Sequence, residues 1–432
     1  MLNEDTERAL RESEGLLKRL DRVHKFSDKY QLTPSRESIR LAEAMQILAD
    51  GLPQIDSPQN QDQLLQSELK RRLHGESAYL NQQLSGRLYD FDTVIDILGI
   101  PREDIDSLGP WLEQNKEKTQ EAIERLFHAR DIEGYELPLS RDIPSVRRQV
   151  EEFAGAHIQR YHKTLGKFLQ GLTKVGEYLR DINAFPTTEA RSYFNSLNNN
   201  LVLGISAICF SKEDGTLHVR EKELIRLYGH EGMGHALNFA VTRSNGLPYF
   251  LTKDSALTEA TVESVAQFYE RVLMEDLKKS PGTQKQLGIE HKFADIYQET
   301  KDAEQLEAYK RRIFQYGIVV LGDKSLGNPN DPEVLRKKMD MLYRVAIDRS
   351  GVAVWVQKHR YESFDSEGNL NPDLVGELRY CAQPVDRALE EFSRRGINYD
   401  EKGRNTIDST FLKGLWTPIG FVNNAKLKAQ SK

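Results

Sequence analysis

The stretch Glu221-Lys222-Glu223-Leu224-Ile225-Arg226-Leu227-Tyr228-Gly229-His230-Glu231-Gly232-Met233-Gly234-His235-Ala236-Leu237-Asn238-Phe239-Ala240-Val241 governs how the rest of the chain is read. Its apolar residues Leu224, Leu227, Tyr228, Leu237, Phe239 and Ala240 recur at helical spacing, which predicts a helix over 221–241. At its centre His230 is followed at once by Glu231, and His235 comes five residues after His230. Two imidazoles and a carboxylate on one helix are what helix-borne hydrolases use to hold zinc and to polarise a water. In the usual motif the histidines are four residues apart, about 40° around the helix; five apart separates them by about 140°. A π-bulge, which widens one turn to about five residues, returns both to one face. Gly229, Gly232 and Gly234 meet that need. Each glycine costs a helix interior about 1 kcal/mol relative to alanine, so three together call for local unwinding or the close approach of another backbone.

A zinc site needs a third protein ligand and an open position. Downstream, Glu259 and Glu263 are four apart on a predicted helix, and Glu270 lies seven beyond Glu263 on nearly the same side. The stripe also carries Val262, Ala266 and Tyr269, so the helix does not turn this face wholly to solvent. One carboxylate is expected to ligate the ion and another to accept a proton from a ligating histidine. The competing reading is a solvated acidic face.

These residues resemble a known group. HEGMGHALN (230–238) followed by VESVAQFYERVL (262–273) is similar to the gluzincin peptidases of the neurolysin and thimet oligopeptidase type. It is also similar to Taq-type carboxypeptidases and to a bacterial gluzincin-like family with HExxPGHH and VEGWALYAERL. Dipeptidyl peptidase III carries the same extra residue in its HExxGH motif. The resemblance covers about residues 200–275. It implies a mainly α, neurolysin-like architecture with a small β-hairpin beside the motif helix. It implies one Zn2+ per chain, held by His230, His235 and Glu263, with Glu231 as general base and Glu270 as the carboxylate behind a ligand. A thermolysin-like alignment instead makes Glu259 the ligand and Glu263 its partner. Further on, Arg379-Tyr380-x-x-x-Pro384 is similar to the bacterial family's RYxxxPGQAL, although shifted by one residue and without its glycine and glutamine; Tyr380 is the implied oxyanion donor. The segment 201–219 occupies the place where such peptidases lay a substrate along an edge strand. That implies main-chain contacts at Ala207, Ile208 and Cys209.

The remaining sequence sets the frame. An N-terminal helical region is expected over 1–140 and a catalytic helical region over 141–432. The strongest strand signal is the apolar run 201–210, returning after a turn at 216–219. Pro186-Thr187-Thr188-Glu189 has the form of a helix N-terminus, and Pro332 that of a first helical turn. A net charge of −6 over 432 residues gives no reason to expect nucleic acid or an anionic membrane as partner. The longest apolar run is too short to span a bilayer, and the acidic N-terminus lacks the form of a signal peptide. Two cysteines, Cys209 and Cys381, build no disulfide framework, and a cytoplasmic location is expected. The expected activity is zinc-dependent hydrolysis of oligopeptides. The alternatives are a metal-dependent hydrolase of non-peptide amides and a helical scaffold carrying a coincidental or decayed HExxxH. No oligomeric state is assigned.

Overall fold

The sequence EATVESVAQFYERVLMEDLK shows how most of this protein folds. It holds no glycine or proline, and its apolar residues recur every three to four positions. It forms the helix Glu259–Lys278 with Val265, Ala266, Phe268, Tyr269, Val272 and Leu273 buried. The computed structural model describes residues 2–25, 35–85, 91–98, 100, 102–133, 144–172, 182–189, 191–195, 198, 200–212, 214–243, 246–362, 369–370, 378–395 and 401–430. These are mainly helical, with five short strands among them. None of the described helices is long and apolar enough to cross a membrane.

Two compact units share the chain. The first comprises Met1–Lys116, Val241–Thr261 and Tyr309–Lys432, and the second Glu117–Ala240 and Val262–Ala308. The boundary expected at residues 140–141 lies outside the described residues.

In the first unit, Val94, Ile95, Ile318, Leu321, Leu342 and Leu378 belong to one buried cluster. Two helix starts in this unit are capped by side chains. The Ser35 hydroxyl accepts from the Ser38 N–H at 3.0 Å ahead of Arg36–Asp50, and Asp331 accepts from the Glu333 N–H at 2.8 Å ahead of Pro332–Val345. Pro332 stands in the first turn, as its sequence context predicts. Arg72, fully buried on Gln61–Ser85, donates to Ser255 Oγ at 2.7 Å and to the Lys253 carbonyl at 2.8 Å. That pins the loop before Glu259–Lys278. Trp416 lies fully buried in the loop 412–417, which leads into a last helix, Pro418–Gln430.

The second unit carries the sheets. Strands β1 (Asn183–Thr187), β2 (Tyr193–Asn195) and β3 (Asn200–Gly204) form one sheet in the order β1-β3-β2. β1 runs parallel to β3 and β2 antiparallel to it. Strands β4 (Cys209–Ser211) and β5 (Leu217–Val219) form the antiparallel hairpin. Two expectations need correction. The run 201–210 is not one strand: after Gly204 the chain makes a helical turn, Ile205–Ile208, which buries Ile205 and Ile208 three residues apart. An unbroken apolar run carries no period to distinguish strand from buried helix. The segment around Pro186 is strand β1 and not a helix start. Proline is tolerated there because β1 is at the sheet edge. The long helix Pro144–Leu172 meets this sheet through Gln159, which donates to the Ala184 carbonyl at 2.8 Å.

Candidate metal centre

The motif segment is helical throughout, but not with one pitch. Glu221–Leu227 and Ala236–Thr242 are α-helical, and Tyr228–His235 between them is a π-helix. At its end the Ala236 N–H reaches the Glu231 carbonyl five residues back, the bond that defines the wider turn. Both imidazoles therefore face one side, their centroids 4.9 Å apart with the rings edge to face at 75°. The spacing that would scatter them on an α-helix brings them together here.

Two of the three glycines account for how close the next helix comes. A Cβ on Gly229 would lie 2.8 Å from the Glu270 Cα, and one on Gly234 would lie 2.4 Å from the Ala266 Cα. The motif helix thus rests backbone against backbone on Glu259–Lys278, with a glycine immediately before each histidine. The Tyr228 hydroxyl donates to the Ile158 carbonyl at 3.2 Å and fixes the other side of the segment.

This contact delivers the carboxylates. Glu263 Oε2 is 3.6 Å from His230 Nε2, and Glu263 Oε1 is 3.5 Å from His235 Nε2. Behind the first imidazole, His230 Nδ1 and Glu270 Oε1 are hydrogen-bonded at 2.5 Å. A carboxylate can only accept, so Nδ1 carries the proton, and in the neutral ring Nε2 is the nitrogen left to act as a ligand on the Glu263 side. Donor atoms of His230, Glu231 and His235 also lie within 4.8 Å of one another. Glu231 Oε2 is 3.9 Å from His235 Nε2 and its carboxylate accepts the Phe194 backbone N–H of β2. Of the two carboxylates, Glu263 is the one that reaches both imidazoles closely; Glu231 stands one step back with its own partner.

The electrostatics separate the groups. Burial pushes Glu231 up to about 7, with the charge of Glu263 adding to the rise and His230, the Phe194 N–H and Arg226 opposing it. Burial brings His235 down to about 4, helped by repulsion from His230. Burial also works to lower His230, but the hydrogen bond and charge of Glu270, with the charges of Glu231 and Glu263, outweigh it and the group is raised.

The donor set fits zinc. Four-coordinate Zn2+ takes imidazole nitrogen and carboxylate oxygen at about 2.0–2.2 Å, which sets neighbouring donors about 3.3–3.5 Å apart. The two imidazole–Glu263 separations are close to that edge, and a neutral Nε2 pair with one carboxylate is a common ligand set for a catalytic ion.

The other expected site residues fall elsewhere. Glu259 is the first residue of Glu259–Lys278, one turn before Glu263. Tyr380 belongs to the first unit, in the 3-10 turn Arg379–Ala382, and its side chain lies outside the described residues. Ala207 and Ile208 do not form an edge strand: they lie in the helical turn Ile205–Ile208, and Cys209 is buried and paired with Val219 in the hairpin. Two contributors were not foreseen. The Phe194 amide leaves no mark in a sequence, because every residue but proline carries an N–H. Arg226 does leave one: an arginine one turn before His230 and one turn after Glu223 marks a charged face of the motif helix, for which an acidic partner is expected. Comparison with protein-family models, with curated proteins and with solved structures finds no match to this chain.

Proposed function

We propose that the protein is a zinc-dependent hydrolase that cleaves peptide bonds of oligopeptides, with one ion per chain held by His230, His235 and Glu263. One observation carries the reading: across a π-widened turn, two imidazole Nε2 atoms face a single shared carboxylate at 3.6 and 3.5 Å. When bound, a zinc ion supplies Lewis-acid chemistry, acidifying a water and polarising a carbonyl. Glu231, buried and aligned by the Phe194 N–H, takes a proton from the attacking water and returns it to the leaving amine. Its raised pKa in the metal-free protein suits a group that must both accept and give a proton near neutrality. Glu270 holds the His230 ring and its tautomer, so that Nε2 stays available as a ligand.

In this reading the architecture is of the neurolysin type, a mainly helical body with a small sheet beside the motif helix. The setting is cytoplasmic, in keeping with two buried free cysteines. The test pairs metal content with turnover of a mixed peptide library. Purified wild type is expected to hold one zinc per chain and to cleave peptides. Glu231→Gln is expected to keep the zinc and lose activity by about 10²-fold or more. No zinc in wild type, or full peptidase activity in Glu231→Gln, overturns the proposal.

A further inference from the structure

Residues 223, 226 and 230 occupy successive turns of one face of the motif segment, and their side chains form a chain of contacts ending at the candidate ligand. Arg226 Nε donates to Glu223 Oε2 at 2.9 Å, and Arg226 Nη1 donates to Glu270 Oε1 at 3.4 Å. That same Glu270 oxygen accepts the His230 Nδ1 proton at 2.5 Å. Gly229, between Arg226 and His230, lets the Glu270 backbone come close enough for both donors to reach it.

Resting on the zinc reading above, we propose that Arg226 is a positioning residue for the metal: pinned by Glu223, it fixes the Glu270 carboxylate that orients His230. A carboxylate with one donor can rotate about its last bond and swing the imidazole with it. Glu270 Oε1 is held between two donors of different origin, and one of them is a planar guanidinium with its own second anchor. The side chains are mostly sheltered, Glu270 at 11% and Arg226 at 35% exposure, so solvent screens the pair less than it would a surface pair. Arg226 also balances one negative charge where Glu223, Glu231, Glu263 and Glu270 converge, without touching the ion.

The measurement is the zinc dissociation constant of the full chain, from competition with a chromogenic chelator, together with the thermal midpoint of the metal-free protein. Loss of an outer partner of a metal ligand typically weakens binding 10–100-fold, and Glu270→Gln is expected to fall in that range. Arg226→Met, one contact further out, is expected to weaken zinc about tenfold, and Arg226→Lys to recover only part of that loss, because an ammonium keeps the charge without the planar two-point hold. In the Glu270→Gln background, Arg226→Met is expected to add less than about twofold, because its route to the ion is already cut. Glu223→Gln, a gentler change, is expected to speed zinc release in wild type and not in Glu270→Gln. A plain helix–helix tie would lower the metal-free midpoint and leave zinc affinity alone, and that result overturns the inference. Equal zinc losses from Arg226→Met in both backgrounds overturn it too, and Glu223→Gln decides the matter if Arg226→Met does not fold. Wild type without zinc overturns the metal reading and this inference together, whereas zinc-loaded wild type with unaltered affinity in Arg226→Met overturns the inference alone.

Discussion

Gly234 and Ala266 stand backbone to backbone, with room for a hydrogen at Gly234 and not for a methyl group, which would lie 2.4 Å from the Ala266 Cα. Gly234→Ala must push the two helices apart, and overpacking of this kind costs about 1–3 kcal/mol. Gly232 is the control. A methyl group there meets the Leu201 Cδ2 at 3.5 Å and the Tyr228 Cδ1 at 3.7 Å, both ordinary contacts. Gly232→Ala is expected to be neutral or to stabilise by up to about 1 kcal/mol. Urea midpoints check this, and equal midpoints for the two variants would refute the packing argument.

The third ligand can be assigned by subtraction. Glu263 faces both imidazoles, so Glu263→Ala is expected to leave the purified protein without stoichiometric zinc. Glu259→Ala, one turn earlier on the same helix, is expected to retain it. Elemental analysis of both variants beside wild type reads the outcome. Loss of metal from Glu259→Ala alone would move the ligand to the thermolysin-like position.

Acid should weaken the second unit through Asp302. Arg125 donates to this buried carboxylate at 2.8 and 2.6 Å, and these bonds hold Asp302 below the usual carboxylate range despite the opposing effect of burial. A carboxylate with a depressed folded-state pKa stabilises the fold above its unfolded value, about 4. The contribution is lost as pH falls through the folded value. Asp302→Asn is therefore expected to be less stable than wild type at pH 7, with the gap closing toward pH 3. A gap that stays constant with pH in chemical denaturation would exclude this ion pair as the cause.

Glu68 presents a fully buried carboxylate to the start of the last helix. Its two oxygens accept the Thr417 N–H at 2.6 Å and the Thr417 hydroxyl at 2.7 Å. The acidic group also suits the positive end of Pro418–Gln430. Glu68→Gln turns one acceptor into a donor facing donors, and about 1–3 kcal/mol of stability should be lost. Gly420→Ala should do similar damage, since a Cβ there would approach Glu68 Oε2 to 2.0 Å. Thermal unfolding at the wild-type midpoint for either variant would contradict this.

The parts of the fold and site that can be read from residue order are those that depend on spacing. The five-residue step from His230 to His235, with a glycine before each histidine, implies a widened turn, and the segment is a π-helix over Tyr228–His235. The seven-residue step from Glu263 to Glu270 puts one carboxylate at each side of the His230 ring. What spacing cannot convey is how backbone groups pair across the chain. β1 and β2 include Pro186 and a polar neighbourhood and hold their shape through β3, a partner whose identity local propensity does not encode. The helical turn Ile205–Ile208 is likewise hidden within an apolar run.

The bond from the Phe194 amide to Glu231 has a consequence for mutational mapping. The donor belongs to the main chain, so replacing the Phe194 side chain by alanine leaves it in place. A systematic alanine survey would miss this donor, and at Phe194 it would read only the loss of the ring contact with Phe239. Proline at 194 is the one natural substitution that deletes the donor, and it leaves the β2–β3 pairing to absorb a ring at the same position. The residues that shape this centre therefore form a larger set than the side chains that touch it.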